Sequence, residues 1–175
     1  MKTVIGTAGW SIARDEAHRF PANGTSLERY SAVFAGAEIN SSFHRSHRRS
    51  TWERWGASVP DHFRFSAKLP KTITHKQKLV DCGDLLAAYL EEAGTLGEKL
   101  AVHLVQLPPS LAFEEALAEE FFARLTGASA VPVVCEPRHA SWFEAEADSL
   151  LQRCRVARVA ADPARVPMAA EPGGW

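Results

Sequence analysis

Short apolar segments recur along this chain at intervals that suit alternating strands and helices. Six of them are predicted to be strands: Thr3–Ile5, Ala37–Ile39, Phe63–Ala67, Leu100–Leu104, Val131–Val134 and Val156–Ala160. Successive segments begin 25 to 37 residues apart, which leaves room for a crossover helix between parallel strands. Near-continuous apolar runs are typical of parallel strands that are covered on both faces. The spacing therefore predicts an α/β fold.

Three of the intervening segments carry apolar residues at helical spacing, starting at Leu27, Leu85 and Phe113. Ser26 is predicted to cap the first of these helices. A doubly wound sheet and a closed barrel both fit this order. The first turn, GTAGW, lacks the G-x-G-x-x-G pattern of dinucleotide-binding folds, and polar residues at nearly every strand end favour a barrel. A closed (β/α)₈ barrel needs eight units and about 250 residues, whereas six units are visible here.

Composition sets the broad class of the protein. The chain has 175 residues, 46% apolar and 23% charged, and no linker divides it, so a single domain over residues 1–175 is predicted. A formal net charge of −1 argues against general coating of nucleic acid, although a local basic patch remains compatible with it. Cys82, Cys135 and Cys154 are odd in number and widely spaced, which suits a reducing compartment. With no secretory signal or membrane-length apolar run, a cytoplasmic location is expected.

The fifth predicted strand ends in a burst of polar chemistry. Glu136, Arg138 and His139 follow it directly, and Trp142 comes three residues later. Ligands and catalytic groups gather at the C-terminal ends of parallel strands, so this segment is a candidate site. A salt-bridged strand end with a packing tryptophan is the alternative interpretation.

Other strands end in similar residue types. Glu38 and Asn40 share one face after the second strand, while Lys68 and His75 follow the third. Lys68 can bind phosphate or act as a base, and His75 can instead cap a helix. Gln106 after the fourth strand is an orienting group. His103 lies inside that strand, where a hydrogen-bonded core histidine is expected.

Three further features complete the candidate set. Asp162 ends the sixth strand, and Trp10 follows the glycine-rich first turn. Between the second and third strands, the segment HRSHRRS at residues 44–50 supplies arginines before a helix, which suits anion binding or a solvated loop equally. The carboxylates at strand ends can perform acid–base catalysis or, with a histidine, hold a divalent metal ion. No ligand spacing specifies the metal.

Five motifs in one order resemble the YecE-like family, catalogued as domain of unknown function 72. They are GTAGW at 6–10, E-x-N-S-S-F at 38–43, K-x-P-K-x-I-T-H at 68–75, QLPPS at 106–110 and E-x-R-H-x-S-W at 136–142. The resemblance covers essentially the whole chain. It implies a TIM-type (β/α) barrel with these residues at its mouth, of which about six of eight βα units are present. It implies no reaction, because the family has no established activity.

The sequence departs from the family pattern in three respects. His44 stands where the family usually has tyrosine, and Pro137 stands where an aliphatic residue is frequent. Family members also continue with two further βα units, so the chain resembles a member that lacks its last quarter.

Three functional hypotheses follow. The first is an enzyme, a hydrolase or isomerase, acting on a phosphate-bearing or polyhydroxyl substrate, with nucleic-acid lesions included. Glu38, Glu136 and Asp162 would supply acid–base chemistry or metal ligands, and Lys68 and Arg138 would hold the anion. The second is a non-catalytic module that binds nucleic acid or an anionic ligand through residues 44–50. The third is a truncated product without activity. The oligomeric state is left open.

Overall fold

A computed structural model of the chain, described here for residues 3–175, contains one seven-stranded sheet. The strands follow one another across the sheet in sequence order, and the first six are parallel. The last strand pairs antiparallel with its neighbour. The strands are β1 (Gly6–Ala8), β2 (Gly36–Ile39), β3 (Arg64–Lys68), β4 (Leu100–Gln106), β5 (Val133–Glu136), β6 (Val156–Arg158) and β7 (Gly173–Gly174).

Helical segments connect the parallel strands. The α-helices are α1 (Ser26–Ser31), α2 (Ser41–His44), α3 (Arg49–Ala57), α4 (Gly83–Gly94), α5 (Glu115–Ala128) and α6 (Ala145–Arg153). A π-helix spans Thr72–Lys76, and short 3₁₀ turns span Ala17–Arg19, Gly97–Lys99, Ala140–Phe143 and Pro167–Ala170. The α/β class predicted from the spacing of apolar segments is therefore confirmed. Within residues 3–175, no helix combines the length and the apolar character that crossing a membrane would require.

The predicted first strand is wrong in position. Thr3–Ile5 is not a strand; Val4 and Ile5 are exposed, and β1 lies three residues later at Gly6–Ala8. The shift arises because it is Gly6–Ala8 that aligns in register with Gly36–Glu38 of β2. The apolar character of Val4 and Ile5 was the basis for predicting Thr3–Ile5 as the strand, and it did not indicate which residues pair with β2. The other five predicted strands overlap β2 to β6.

The cap of the first helix is also one residue from its predicted place. Thr25, not Ser26, is the N-cap: its hydroxyl accepts the Glu28 N–H, and the Glu28 carboxylate accepts the Thr25 N–H at 2.6 Å. This reciprocal pair requires glutamate three residues after the cap, which only Thr25 has.

The hydrophobic core lies between the sheet and the helices. One side chain from each of β2 to β6 is fully inaccessible to solvent, namely Ile39, Phe65, Val105, Cys135 and Val156. Since side chains alternate along a strand, the neighbouring residues project from the opposite face.

His103 projects into the helix layer, as predicted for a core histidine. It is 1% exposed and hydrogen-bonds the Tyr89 hydroxyl at 2.9 Å and the Ser129 hydroxyl at 3.1 Å. Burial lowers its pKa to about 4. The ring is therefore a neutral packing element.

Candidate functional site

Strand register places four polar side chains on one face of the sheet, at the C-terminal ends of four consecutive strands. They are Glu38 on β2, Lys68 on β3, Gln106 on β4 and Glu136 on β5. Glu38 pairs in register with the residue two before Lys68, Lys68 pairs with Leu104, and Gln106 pairs with Glu136. Residues in register, or two apart on one strand, project to the same side. These four residues, with His75 and Arg138, are called the strand-end cluster below.

Glu136 is held by neighbours on both oxygens. Gln106 Nε2 donates to Oε2 at 2.8 Å, while Arg138 donates to Oε1 from Nε at 3.1 Å and from Nη2 at 2.9 Å. The Glu136 side chain is only 17% exposed and that of Arg138 is 31% exposed. Charge-assisted hydrogen bonds of this kind fix orientation. Glu136 therefore has a single geometry, and it also orients the guanidinium.

Glu38 is the carboxylate in this cluster whose proton affinity is most altered. Partial burial raises its pKa above the usual 4.5, with the Lys68 charge opposing this effect and the Glu136 charge adding to it. Glu38 also lines an open cavity of about 620 Å³, most of whose lining residues lie toward the N-terminal ends of β1 to β4. A carboxyl group with raised pKa beside a cavity is suited to proton transfer.

Lys68 is a buried cation without a carboxylate partner. The residue is 8% exposed, and within residues 3–175 no carboxylate oxygen lies within 4.0 Å of Nζ. Instead, Nζ lies over the Phe43 ring, 4.8 Å from its centroid. The Ser42 hydroxyl donates to the Lys68 carbonyl at 2.6 Å, which anchors the backbone of the strand end. Lysine is rarely buried without a pair, so Lys68 remains a candidate site residue.

His75 joins the same group from the π-helix. Its ring centroid is 4.9 Å from that of Phe43, and its Nδ1 is 2.9 Å from the Thr74 hydroxyl. Burial lowers its pKa, and the Arg138 and Lys68 charges lower it further. Phe43 thus contacts two of the predicted site residues. Sequence reasoning did not name it as a site residue, although it is the last residue of the E-x-N-S-S-F motif at 38–43.

The two predicted tryptophans serve packing in this structure. Trp10 makes edge contacts with Trp55 and Phe65, with centroids 5.2 and 6.2 Å apart, on the helix side of the sheet. Trp142 is 1% exposed, and its indole N–H donates to the Leu111 carbonyl at 2.9 Å. Neither contact set brings these rings to the strand-end cluster.

Three other predicted residues lie at the margin of the cluster. The His139 ring accepts the Ser141 N–H at 3.2 Å through Nδ1 and so caps a 3₁₀ turn. Asp162 is exposed and lines a second cleft of about 310 Å³, which Glu136 and Arg138 of the strand-end cluster also line. Asn40 directly follows β2, and its buried side-chain oxygen has no hydrogen-bond partner in the described part of the chain.

The basic segment at residues 44–50 lies at the start of α3. His47 is buried, with Nε2 2.9 Å from the Ser41 hydroxyl, whereas Arg45 and Arg48 are exposed. Arg49 contacts the Glu53 carboxylate at 3.1 Å, and Glu91 lies 4.0 Å away. Local acidic residues thus offset part of the positive charge.

In residues 3–175, no group of three or more His, Cys, Asp or Glu side chains has an arrangement that could hold a metal ion. The divalent ion suggested by the carboxylates of the sequence therefore stays a prediction.

Comparison with known sequences places the chain among proteins without assigned activity. It is 31% identical over 131 residues to the UPF0759 protein YecE of Escherichia coli K12 and, equally, to that of strain O157:H7. The alignment covers 74% of this chain and 47% of each relative, so the chain spans about half the length of the curated relatives it matches.

Solved structures share the fold at lower sequence identity. A DUF72 family protein (EF0366) from Enterococcus faecalis V583 matches with a TM-score of 0.74 and 17% identity, over 90% of this chain and 60% of that one. A DUF72 family protein (TM1631) from Thermotoga maritima MSB8 matches with a TM-score of 0.72 and 22% identity, over 90% and 64%. A family model described as "Protein of unknown function DUF72" matches residues 4–173. The chain therefore belongs to the DUF72 family.

Proposed function

We propose that the strand-end cluster is the active site of an enzyme that acts on a small phosphate-bearing or polyhydroxyl substrate. One observation carries this proposal: register brings Glu38, Lys68, Gln106 and Glu136 to one face and one end of the sheet. Side chains placed together in this way by rigid strands can hold a substrate in a reactive geometry.

The roles follow from the contacts. Glu38 transfers the proton, because its pKa is raised and it lines the cavity. Glu136 orients Arg138, which binds the anionic group of the substrate together with the positive charge of Lys68. Gln106 maintains the position of Glu136.

The proposal includes a TIM-type barrel made by a single domain, with about six of its eight βα units in this chain. Sequence-ordered parallel strands and the likeness to DUF72 structures support it. A cytoplasmic setting is part of the same proposal and is supported by three free cysteines.

Thermal-shift binding tests this function. The purified chain would be heated with a sugar phosphate, the matching unphosphorylated sugar, inorganic phosphate, abasic-site DNA, or Mn²⁺ and Zn²⁺. A ligand at a hundred times its Kd adds about 2.7 kcal/mol of stability, which is readily measured. We expect the sugar phosphate to raise Tm in the wild type and Arg138→Ala to abolish that rise.

Arg45→Ala is the matched control, because Arg45 is an exposed arginine outside the strand-end cluster. It should leave the shift unchanged. Loss of binding in a variant lacking Arg45, Arg48 and Arg49, with full binding in Arg138→Ala, would instead support the non-catalytic anion-binding module. A protein stabilised by none of these ligands would contradict the proposal.

A further inference from the structure

Lys68 and Lys99 both have little exposed side-chain surface, and they differ in how their ammonium groups are satisfied. Lys99 donates to the carbonyls of Gly56 at 2.8 Å and Val59 at 2.7 Å, and Asp61 lies 3.7 Å away. Lys68 is 8% exposed, yet its Nζ has neither a hydrogen bond nor an ion pair within residues 3–175. Lys99 shows how this fold satisfies a structural lysine, so Lys68 requires a different explanation.

The surroundings of Lys68 are apolar on one side and charged on the other. Its Nζ faces the Phe43 ring, and its register partner Leu104 is 7% exposed. On the same face, register places Glu38 on one neighbouring strand and Gln106, two residues after Leu104, on the other. An amine held in this position, once it has lost its proton, can act as a nucleophile toward a carbonyl group.

Glu38 supplies the proton transfer that such a reaction needs. It is on the adjacent strand, on the same face, and its charge interacts with that of Lys68. The raised pKa of its carboxyl group adds to this geometry, since a protonated carboxyl can donate to a developing alkoxide.

We propose that Lys68 forms an imine with a carbonyl substrate that also carries a phosphate or carboxylate. This rests on the proposed function and narrows its substrate class to anionic aldehydes and ketones. In this reaction Arg138 alone binds the anionic group, because Lys68 loses its charge and binds the carbonyl carbon instead.

The chemistry balances without an oxidant or reductant. After Nζ has given one proton to solvent, its lone pair attacks the carbonyl carbon, and the carbonyl oxygen takes a proton from Glu38. The resulting carbinolamine loses a proton from nitrogen to Glu38. Its hydroxyl group then leaves as water with a proton from that carboxyl, and the nitrogen lone pair forms the C=N bond. The product is a protonated imine, and Glu38 regains from solvent a proton equal to the one that Nζ released. The net change is replacement of C=O by C=NH⁺ with release of one water molecule.

Borohydride trapping tests the imine directly. The 175-residue chain would be incubated with dihydroxyacetone phosphate or with pyruvate, reduced with sodium borohydride, and examined by intact and peptide mass spectrometry. We expect one adduct per chain, located at Lys68, formed at least tenfold faster than at the exposed Lys76. Inorganic phosphate should slow labelling by dihydroxyacetone phosphate.

Variants separate covalent chemistry from charge and from folding. Lys68→Arg keeps the cation but cannot form an imine, so the specific adduct should disappear; Lys68→Met is the second variant in case arginine disturbs the fold. Lys99→Arg and Lys76→Arg should retain the adduct at Lys68.

Equal labelling of surface lysines with Lys68 unmodified, or no adduct with either compound, would overturn the imine. If sugar phosphates still raise Tm in that case, the proposed active site stands and only the role of Lys68 is wrong. Absence of both binding and adduct would refute both proposals.

Discussion

The hydrogen bond between Gln106 and Glu136 yields a quantitative prediction about the strand-end cluster. Glu136→Gln replaces one carboxylate oxygen with an NH₂ group, while the donors from Gln106 and Arg138 stay 2.8–3.1 Å away. The Gln106 amide can turn over so that its oxygen accepts from the new NH₂ group, and no donor has to be left unsatisfied. The charge of the carboxylate is lost: hydrogen bonds to charged groups contribute about 1.5–3 kcal/mol and neutral ones about 0.5–1.5 kcal/mol, so the cost is about 1 kcal/mol.

The measurable consequence is a lower melting temperature and a lower urea midpoint. For a chain of this length, each kcal/mol corresponds to about 2–4 °C, so we expect Glu136→Gln to melt roughly 2–4 °C earlier. Gln106→Glu alone should also destabilise, because it brings two carboxylates together in place of the 2.8 Å hydrogen bond.

Exchanging the two residues should restore the hydrogen bond. In the double variant Gln106→Glu, Glu136→Gln, the new amide on β5 donates to the new carboxylate on β4 and still accepts from Arg138. Residues in direct contact typically show coupling energies of about 0.5–3 kcal/mol in a double-mutant cycle, and urea unfolding measures this value. We expect recovered stability without recovered ligand binding, since the carboxylate has moved to another strand.

Additive losses in the double variant would refute the reasoning. The hydrogen bond between residues 106 and 136 would then contribute nothing to stability. The orientation of Glu136 would in that case not be fixed by Gln106, and the proposed site would lose this support. Full recovery of binding in the double variant would instead show that the position of the carboxylate does not matter.

Three further results are expected. Burial holds the pKa of His103 near 4, whereas its ordinary value is 6.5, so on acidification the histidine is protonated in the unfolded chain before it is protonated in the folded one. At 1.36 kcal/mol per pH unit, the free energy of unfolding should fall by about 3 kcal/mol between pH 6.5 and pH 4. Urea titrations of the wild type and of His103→Gln should show this loss as a difference between the two proteins. Glu38→Gln should be more stable than the wild type at pH 7, because ionisation of a carboxyl group whose pKa is raised by folding opposes folding. This difference in stability should disappear as pH falls toward 4.5, and Tm measured against pH for both proteins tests it. Gly6→Ala should destabilise by about 1–3 kcal/mol, because its Cβ would overlap the Gly36 carbonyl, whereas Gly127→Ala, with no atom near its Cβ, should be neutral or stabilising in the same melts.

The strand pattern was readable because a parallel strand covered by helices must be apolar. Five of the six predicted strands overlap observed ones for this reason. The first failed because Val4 and Ile5 are exposed, and neighbouring Gly6–Ala8 pairs with β2. An apolar pattern locates the strands that are covered by helices. It does not show which residues of an edge strand such as β1 pair with the neighbouring strand.

The sequence predicted which residues follow the strand ends, but not how their side chains are oriented. Placing polar residues after successive strands identified Glu38, Lys68, Gln106 and Glu136, since parallel strands end together. Trp10 and Trp142 belonged to the same motifs, yet their rings pack against aromatic neighbours. Motif membership therefore did not distinguish a side chain that faces the cluster from one that fills the core.

The sequence by itself determined the α/β class, the positions of five strands, the buried role of His103 and the family to which the chain belongs. The tertiary structure alone decided which polar groups satisfy one another. Glu136 is bound by Gln106 and Arg138, whereas among residues 3–175 the Lys68 ammonium group contacts an aromatic ring and no hydrogen-bond acceptor. The physical reason is that local patterns report whether a residue prefers burial, whereas a hydrogen bond between residues 30 positions apart depends on strand register and side-chain direction.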